Sequence, residues 1–347
     1  MIRTVAAPMV CFRPGMTVVY LILSLLLILL SAELFTNAVE WFGRRFSLGE
    51  GAVGSVLAAV GTALPETLVP VMALVFLRGD AGSKIGTGAI LGAPFMLSSL
   101  AMLVTAAAVV IFSLTRRRTL RVTVNEPVMR RDLSHFLVAY LLAMLAGLVD
   151  LPFLHWLLAA VLIVMYGWYV YMTLKEEGDL EGDSKPLYFH RGHHPHLPHA
   201  WRIIVQIAVA LAGIVAGAEF FVEQVRSVSE SLGASPLIVS LLIAPIATEL
   251  PEKFNSVIWI RARKDTLALG NITGAMVFQS TFPVSIGLVF TAWKLPFDAL
   301  FSGILALISG TVFYVILRLR HTLTWWSLAG AGLMYVVYLV WVLALSH

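Results

Sequence analysis

Charge is what this chain has least of. Charged residues make up 13% of its 347 positions, about half the share of a soluble domain. Such a sequence cannot cover itself with a water-facing surface and must meet lipid over much of its area. Cysteine is nearly absent: Cys11 stands alone, which excludes an intrachain disulfide framework. The widest gap between apolar runs, residues 175–201, is too short to fold as a separate soluble domain. What fills the chain is hydrophobic residues, 59% of it, at a mean hydropathy of +0.88. A net charge of +4 and a pI near 9.3 would suggest an anionic partner for a soluble protein. Here the basic residues sit in short loops between apolar runs, a signal of membrane orientation and not of nucleic-acid binding.

Ten apolar stretches are long enough to cross a bilayer: 17–40, 51–77, 85–114, 133–149, 152–174, 202–225, 235–260, 268–292, 297–317 and 324–345. The first follows Arg3 and Arg13 as a secretory signal would, but its length and its sequence partner later in the chain predict a retained helix. An even number of spans puts both termini on one side. The loops of that side carry six basic residues, Arg3, Arg13, Arg78, Lys84, Arg226 and Lys294, whereas the opposite loops carry seventeen. Basic loops stay in the cytoplasm, so both termini are expected outside it, in a multi-pass protein of an inner or plasma membrane.

The chain repeats itself. Ala32-Glu33-Leu34-Phe35 returns 186 residues later as Ala218-Glu219-Phe220-Phe221, and Gly61-Thr62-Ala63-Leu64-Pro65-Glu66 returns at the same offset as Ala247-Thr248-Glu249-Leu250-Pro251-Glu252. Gly88 to Ala93 matches Gly270 to Ala275 at an offset of 182. Each half has five spans, an odd number, so the second enters the membrane from the opposite side. The expected fold is therefore an all-α polytopic membrane protein of ten helices in two inverted five-helix repeats. Its parts are an N-terminal segment 1–16, a first repeat 17–174, a cytoplasmic linker 175–201 and a second repeat 202–347. Inverted repeats are the architecture of alternating-access transporters, with substrate held at mid-membrane where the halves meet.

An ionised carboxylate at that depth costs several kcal/mol unless compensated. Glu66 lies in the middle of the second span, and Glu249 and Glu252 in the middle of the seventh. If the halves bring these acids together, they form an oxygen-rich site suited to hard cations such as Na⁺ and Ca²⁺, or to protons. Pro65 and Pro251 precede Glu66 and Glu252, and each is expected to break its helix and free carbonyls near Ala59, Thr62 and Thr248 as further ligands. The opposing reading is a packing kink beside a neutral glutamate. Glycines 86, 88, 92, 270 and 274 read as close-packing positions that let spans 3 and 8 approach spans 2 and 7. Asn271 and Gln279 either face the site or bond helix to helix.

At these residues the chain resembles the calcium/cation antiporter superfamily, which includes the sodium/calcium exchangers, with a Gly-Thr-Ser-Leu-Pro-Glu segment followed by Gly-Asn-x-x-Gly-Ser-Asn-x-Phe-(Asn/Asp). Gly61 to Glu66 matches the first motif at five of six positions. The resemblance implies cation exchange, with Glu66 and Glu252 as central ligands and no resident cofactor. The departures are at ligand positions: the motif serine is Ala63 in one half and Glu249 in the other, Ser-Asn becomes Ala93-Pro94 and Ala275-Met276, and the last ligand is Leu97 or Gln279. Oxygens suited to sodium are thus missing. Lys253, four residues after Glu249, is placed to compensate the acids and to be displaced by a proton or substrate, although snorkelling toward an interface is its simpler reading. The expectation is an antiporter of Ca²⁺ or a related cation against Na⁺ or H⁺, the missing oxygens favouring H⁺ or fewer ions per cycle. A proton-coupled exporter of Mn²⁺ or Mg²⁺, or a passive cation channel, is the alternative.

Other features weigh less. The linker is acidic from Glu176 to Asp183 and rich in histidine from His190 to His199; with prolines at 186, 195 and 198 it reads as a flexible segment before it reads as a metal sensor. The arginines of 116–131 read as an anchor at anionic lipid, and Glu33 and Glu219 as structural or vestibule-lining. His155, read as the single plausible intramembrane histidine, has no nucleophile beside it, so no enzyme is expected. The expected partners are inorganic cations and the bilayer, with no nucleic acid and a monomer sufficient.

Overall fold

A computed structural model describes residues 14–45, 66–77, 79–115, 118–175, 186–189, 198–233 and 235–345 of the protein. They are almost wholly helical: α1 (Pro14–Arg45), α2 (66–77, ending in the π-helical turn Ala73–Leu77), α3 (Gly79–Ser98), α4 (Leu100–Leu114), α5 (Glu126–Ala146), α6 (Pro152–Lys175), α7 (Ala200–Leu232), α8 (Pro236–Arg261), α9 (Asp265–Phe290), α10 (Phe297–Arg320) and α11 (Trp325–Leu345). Helix ends follow local chemistry. Asn125 caps α5 by accepting from Val128 N–H, with Pro127 in the first turn. Gly233, at φ +62°, ends α7 in the left-handed conformation that only glycine adopts without cost.

Among the described residues, seven helical stretches are long and apolar enough to cross a membrane: Met16–Val39, Gly79–Leu114, Pro152–Thr173, Ala200–Ser231, Asp265–Phe290, Phe297–Arg320 and Trp325–Ala344. The third apolar stretch of the sequence is α3 and α4 joined by a turn at Ser99. Pro94 withholds the N–H that Ile90 would accept, and Ser98 and Ser99 both bond back to Phe95 O, at 3.1 and 2.5 Å. α5 is not among the seven because Glu126, Arg130, Arg131 and Asp132 crowd its first turns.

α1 and α7 are the longest helices, 32 and 33 residues. At 1.5 Å per residue each is about 50 Å long, more than the roughly 30 Å hydrocarbon core needs. They pack chiefly on one another. Gly213 meets Ser31, and a Cβ at Gly217 would stand 2.8 Å from Ile28 Cγ1, so these glycines set the close approach. The large core is built by α3 to α6 and α8 to α11, while the clusters containing α1, α2 and α7 are separate and smaller. α3 is central: it touches α2, α8, α9 and α10. Gly88 and Gly92 lie against the backbone of α8 at Leu237 and Leu241, and Gly86 against Leu74 and Pro70 of α2, as their spacing suggests. Gly270 has no such neighbour among the described residues, and Gly274 only Tyr169.

Three readings of the sequence need correction. The arginines of 116–131 are not simply a lipid anchor. Arg118 is buried and grips Asp265, the first residue of α9, through two bonds of 2.7 and 2.9 Å, and it donates to Ile260 O at the end of α8. Asp265 also accepts from Thr123 N, and the strand β1 (Arg121–Val122) pairs with β2 (Leu323–Thr324). Burial without such partners would be prohibitive for a guanidinium. The linker is not loose throughout: residues 186–189 are seated on α1 and α7. Finally, two histidines lie in the helices. His155 Nε2 bonds the carbonyls of Ala146 and Val149 just beyond α5, and His135 in α5 sits beside Tyr169.

Candidate cation site

Glu249 is thirteen residues from the start of α8 and twelve from its end, and Gln279 holds a similar place in α9, so both lie at mid-helix. They are buried, at 1% and 2% exposure. Gln279 Nε2 donates to Glu249 Oε1 at 3.0 Å. Its own Oε1 is buried and finds no hydrogen-bond partner among the described residues. Gln279 therefore bonds helix to helix and keeps one acceptor oxygen uncommitted among the described residues. An amide oxygen left unpaired in an apolar interior costs about 1–3 kcal/mol, a penalty that a cation beside it removes.

Glu66 is the first described residue of α2 and is also buried, at 7%. Val69, Met72 and Ala73 on the following turns share one apolar cluster with Val239 and Ala244 of α8. α2 and α8 thus share one apolar cluster, and both pack closely on the glycines of α3, Gly86 meeting α2 and Gly88 and Gly92 meeting α8. Asn271, eight residues before Gln279, is half-buried. Ala59 and Thr62 lie outside the described residues, as do the side chains of Thr248, Glu252 and Lys253, whose backbone belongs to α8.

The helix break expected at Pro251 does not occur. α8 is continuous from Pro236 to Arg261, through Pro245 and Pro251. Proline deletes one donor and crowds the turn before it, but a helix packed on α3, α4 and α9 keeps its path. The consequence for the site survives in another form. Pro251 has no N–H for Ala247 O, and Pro283 has none for Gln279 O. Two mid-helix carbonyls, at Ala247 two residues before Glu249 and at Gln279, thereby lack their regular helical donors.

A further buried acid, Asp132, was missed by the sequence reading. Asp132 accepts from Thr273 Oγ1 at 2.8 Å and Tyr169 OH at 3.1 Å, with Arg131 at 3.3 Å. It joins α5, α6 and α9, and these contacts give it a structural place in the helix packing. Following a basic pair at a helix start, it gave no signal that distinguishes it from a surface charge.

The sequence profile of the sodium/calcium exchanger protein family matches residues 16–175 and 202–344. An uncharacterized membrane protein of Methanocaldococcus jannaschii is 21% identical over 280 residues, which is 78% of this chain and 81% of that protein. Among solved structures, the H⁺/Ca²⁺ exchanger CAX aligns at a TM-score of 0.74 with 20% identity, covering 95% of this chain and 82% of CAX. The sodium-calcium exchanger NCX_Mj aligns at 0.58 with 18% identity, covering 94% and 99%. At these identities the likeness is one of fold.

Proposed function

The chain belongs to the sodium/calcium exchanger family, and from that premise we propose that it is a secondary active antiporter exchanging Ca²⁺, or a related divalent cation, for H⁺. It carries its ions by alternating access at a mid-membrane site of Glu66, Glu249 and Glu252, with Gln279 and freed carbonyls as neutral oxygens. The observation that carries this reading is the buried Glu249–Gln279 pair at the centre of two adjacent helices. The similar folds of CAX and NCX_Mj, named as H⁺/Ca²⁺ and sodium-calcium exchangers, support cation exchange in general.

Proton coupling follows from charge. A carboxylate at 249, where the family motif has serine, adds a group that a proton can neutralise and removes a neutral oxygen suited to Na⁺. The inverted-repeat reading is supported by the packing. α4 pairs with α11 and α6 with α9, contacts that exchange when the halves are exchanged, while α1–α7 and α5–α10 pair equivalent helices. Both termini lie outside the cytoplasm by the distribution of basic loops. The chain transports its cations and is no enzyme.

The test is uptake of radioactive Ca²⁺ into proteoliposomes under a pH gradient or, separately, a Na⁺ gradient. A pH gradient is expected to drive uptake, and E66Q and E252Q to abolish it. Strong uptake driven by Na⁺ alone would overturn proton coupling; full activity in either variant would overturn the site.

A further inference from the structure

One face of α6 and one residue of α5 line a cavity of about 420 Å³, formed by His135, Ala160, Val161, Val164, Met165 and Trp168. We propose that this groove holds a long-chain fatty acid drawn from the membrane, its carboxyl group on His135 and its chain along α6. The proposal rests on α6 spanning the membrane and is independent of which ions are exchanged.

The groove lies at the lipid boundary and has one polar end. Its five α6 residues, at 160, 161, 164, 165 and 168, form a stripe along one helical face. At 1.5 Å per residue the stripe is about 12 Å long. Val161, Val164 and Trp168 are 39%, 71% and 58% exposed, and such side chains on a spanning helix face hydrocarbon. Past Trp168 come Tyr171, whose ring lies 5.6 Å from that of Trp168, and Lys175, with Nζ 4.7 Å from the Tyr171 ring. Tryptophan, tyrosine and long cations mark the headgroup level. The stripe therefore runs from just below that level towards mid-membrane. His135 stands at its headgroup end, its ring 5.5 Å from that of Tyr169, the residue after Trp168.

That end is prepared for one kind of partner. His135 Nδ1 lies 2.8 Å from Arg131 O in the preceding turn. A carbonyl only accepts, so Nδ1 carries the hydrogen, and Nε2 is left as the acceptor of a neutral imidazole. The ring is held in place: Tyr169, against which it lies, donates through its hydroxyl to the buried Asp132, which also accepts from Thr273 of α9. Among the lining side chains the imidazole is the only base. Trp168 can only donate, and the Met165 thioether is a weak acceptor.

A ligand matched to this groove has an acidic donor at one end and an apolar body behind it. A carboxylic acid donates its O–H to Nε2. When the proton crosses to the ring, the imidazolium–carboxylate pair is a charge-assisted bond, shorter and stronger than a neutral one. A phospholipid would place its phosphate further out, level with Lys175, and a bare anion gains nothing from the apolar wall. The volume lies within the range of small-molecule sites.

The experiment measures retention of palmitic acid, methyl palmitate and hexadecanol by the full chain in detergent, using native mass spectrometry with thermal midpoints alongside. The wild type is expected to retain the acid about tenfold better than the ester, the worth of one hydrogen bond to a charged group, and to be stabilised by it. H135F keeps a ring but removes the base, and should retain acid and ester alike. Should H135F fail to fold, H135Q, whose amide oxygen accepts but takes up no proton, should bring the acid level with hexadecanol. V164W, at a position exposed enough to tolerate it, fills the groove and should lower retention of the acid. Equal retention of acid and ester by the wild type, or a preference for the acid that survives in H135F or H135Q, overturns the role of His135. Hexadecanol held by the wild type as well as the acid overturns a carboxylic acid as occupant, and unchanged retention in V164W overturns the groove as its seat.

Discussion

Gln279 has one half of its amide committed to Glu249 and a buried oxygen without a hydrogen-bond partner among the described residues, which makes it a sensitive probe of the proposed site. Q279L removes the donor to Glu249 and the uncommitted oxygen together. A hydrogen bond to a charged group contributes about 1.5–3 kcal/mol, so the Ca²⁺ concentration for half-maximal uptake should rise by about tenfold or more. An unchanged value would remove Gln279 from the site. Arg118 illustrates the opposite kind of burial, where charge holds architecture. R118A leaves the Asp265 carboxylate buried without its partner, and such loss costs about 3–5 kcal/mol. The detergent-solubilised variant should unfold at a clearly lower temperature, and R118A/D265A should recover part of the loss. These two sites differ in how far the sequence reveals them. Glu66 and Glu249 stand out as acids in apolar runs, where any charge demands a reason. Arg118 and Asp265 are 147 residues apart in polar loops, where charges are ordinary, and only the folded chain brings them together.

Among the elements, the contact of α3 with α8 is set by backbone proximity. A Cβ at Gly92 would collide with Leu241 O and stand 2.7 Å from the Pro245 ring. Neither group can yield, so G92A should displace α8, lower stability by about 1–3 kcal/mol and impair transport. Gly330, in α11, has open space where a Cβ would go. G330A should be neutral or slightly stabilising by helix propensity, and thermal midpoints of the two variants make the comparison. The spacing of the α3 glycines announced this packing; the unbroken course of α8 through Pro251 was not announced. Proline's local effect is legible in one residue, but whether a helix breaks depends on neighbours contributed by α3, α4 and α9. The connections between elements depend on exposed ion pairs. Lys294 lies 2.7 Å from Asp150 and His321 2.6 Å from Glu126, and both carboxyls are held below their ordinary pKa by these partners. A lowered carboxylate pKa adds stability above the ordinary carboxylate range, which is lost as pH falls through the lowered values. The resulting drop in thermal midpoint should be small and should fade in high salt, because the pairs are solvated.

For the whole molecule, the decisive asymmetry is between α1–α7 and the rest. α1 and α7 pack mainly on one another, touch the large core sparingly and carry linker residues 186–189 on their own surface. Segments recurring at nearly constant offset are legible in the sequence; the packing of α4 on α11 and of α6 on α9 is not, since no sequence pattern says which helix another will lean on. Orientation remains a matter of charge, and the chain supplies its own reporter. Cys11 is the single cysteine and precedes the first span, so a membrane-impermeant maleimide reads one position without mutation. With seventeen basic residues on one set of loops and six on the other, the rich set is expected in the cytoplasm. Intact cells should therefore label at Cys11 and inside-out vesicles should not. The reverse pattern would move the linker outside the cell, and would leave the arginine-rich loops on the face that the positive-inside bias excludes.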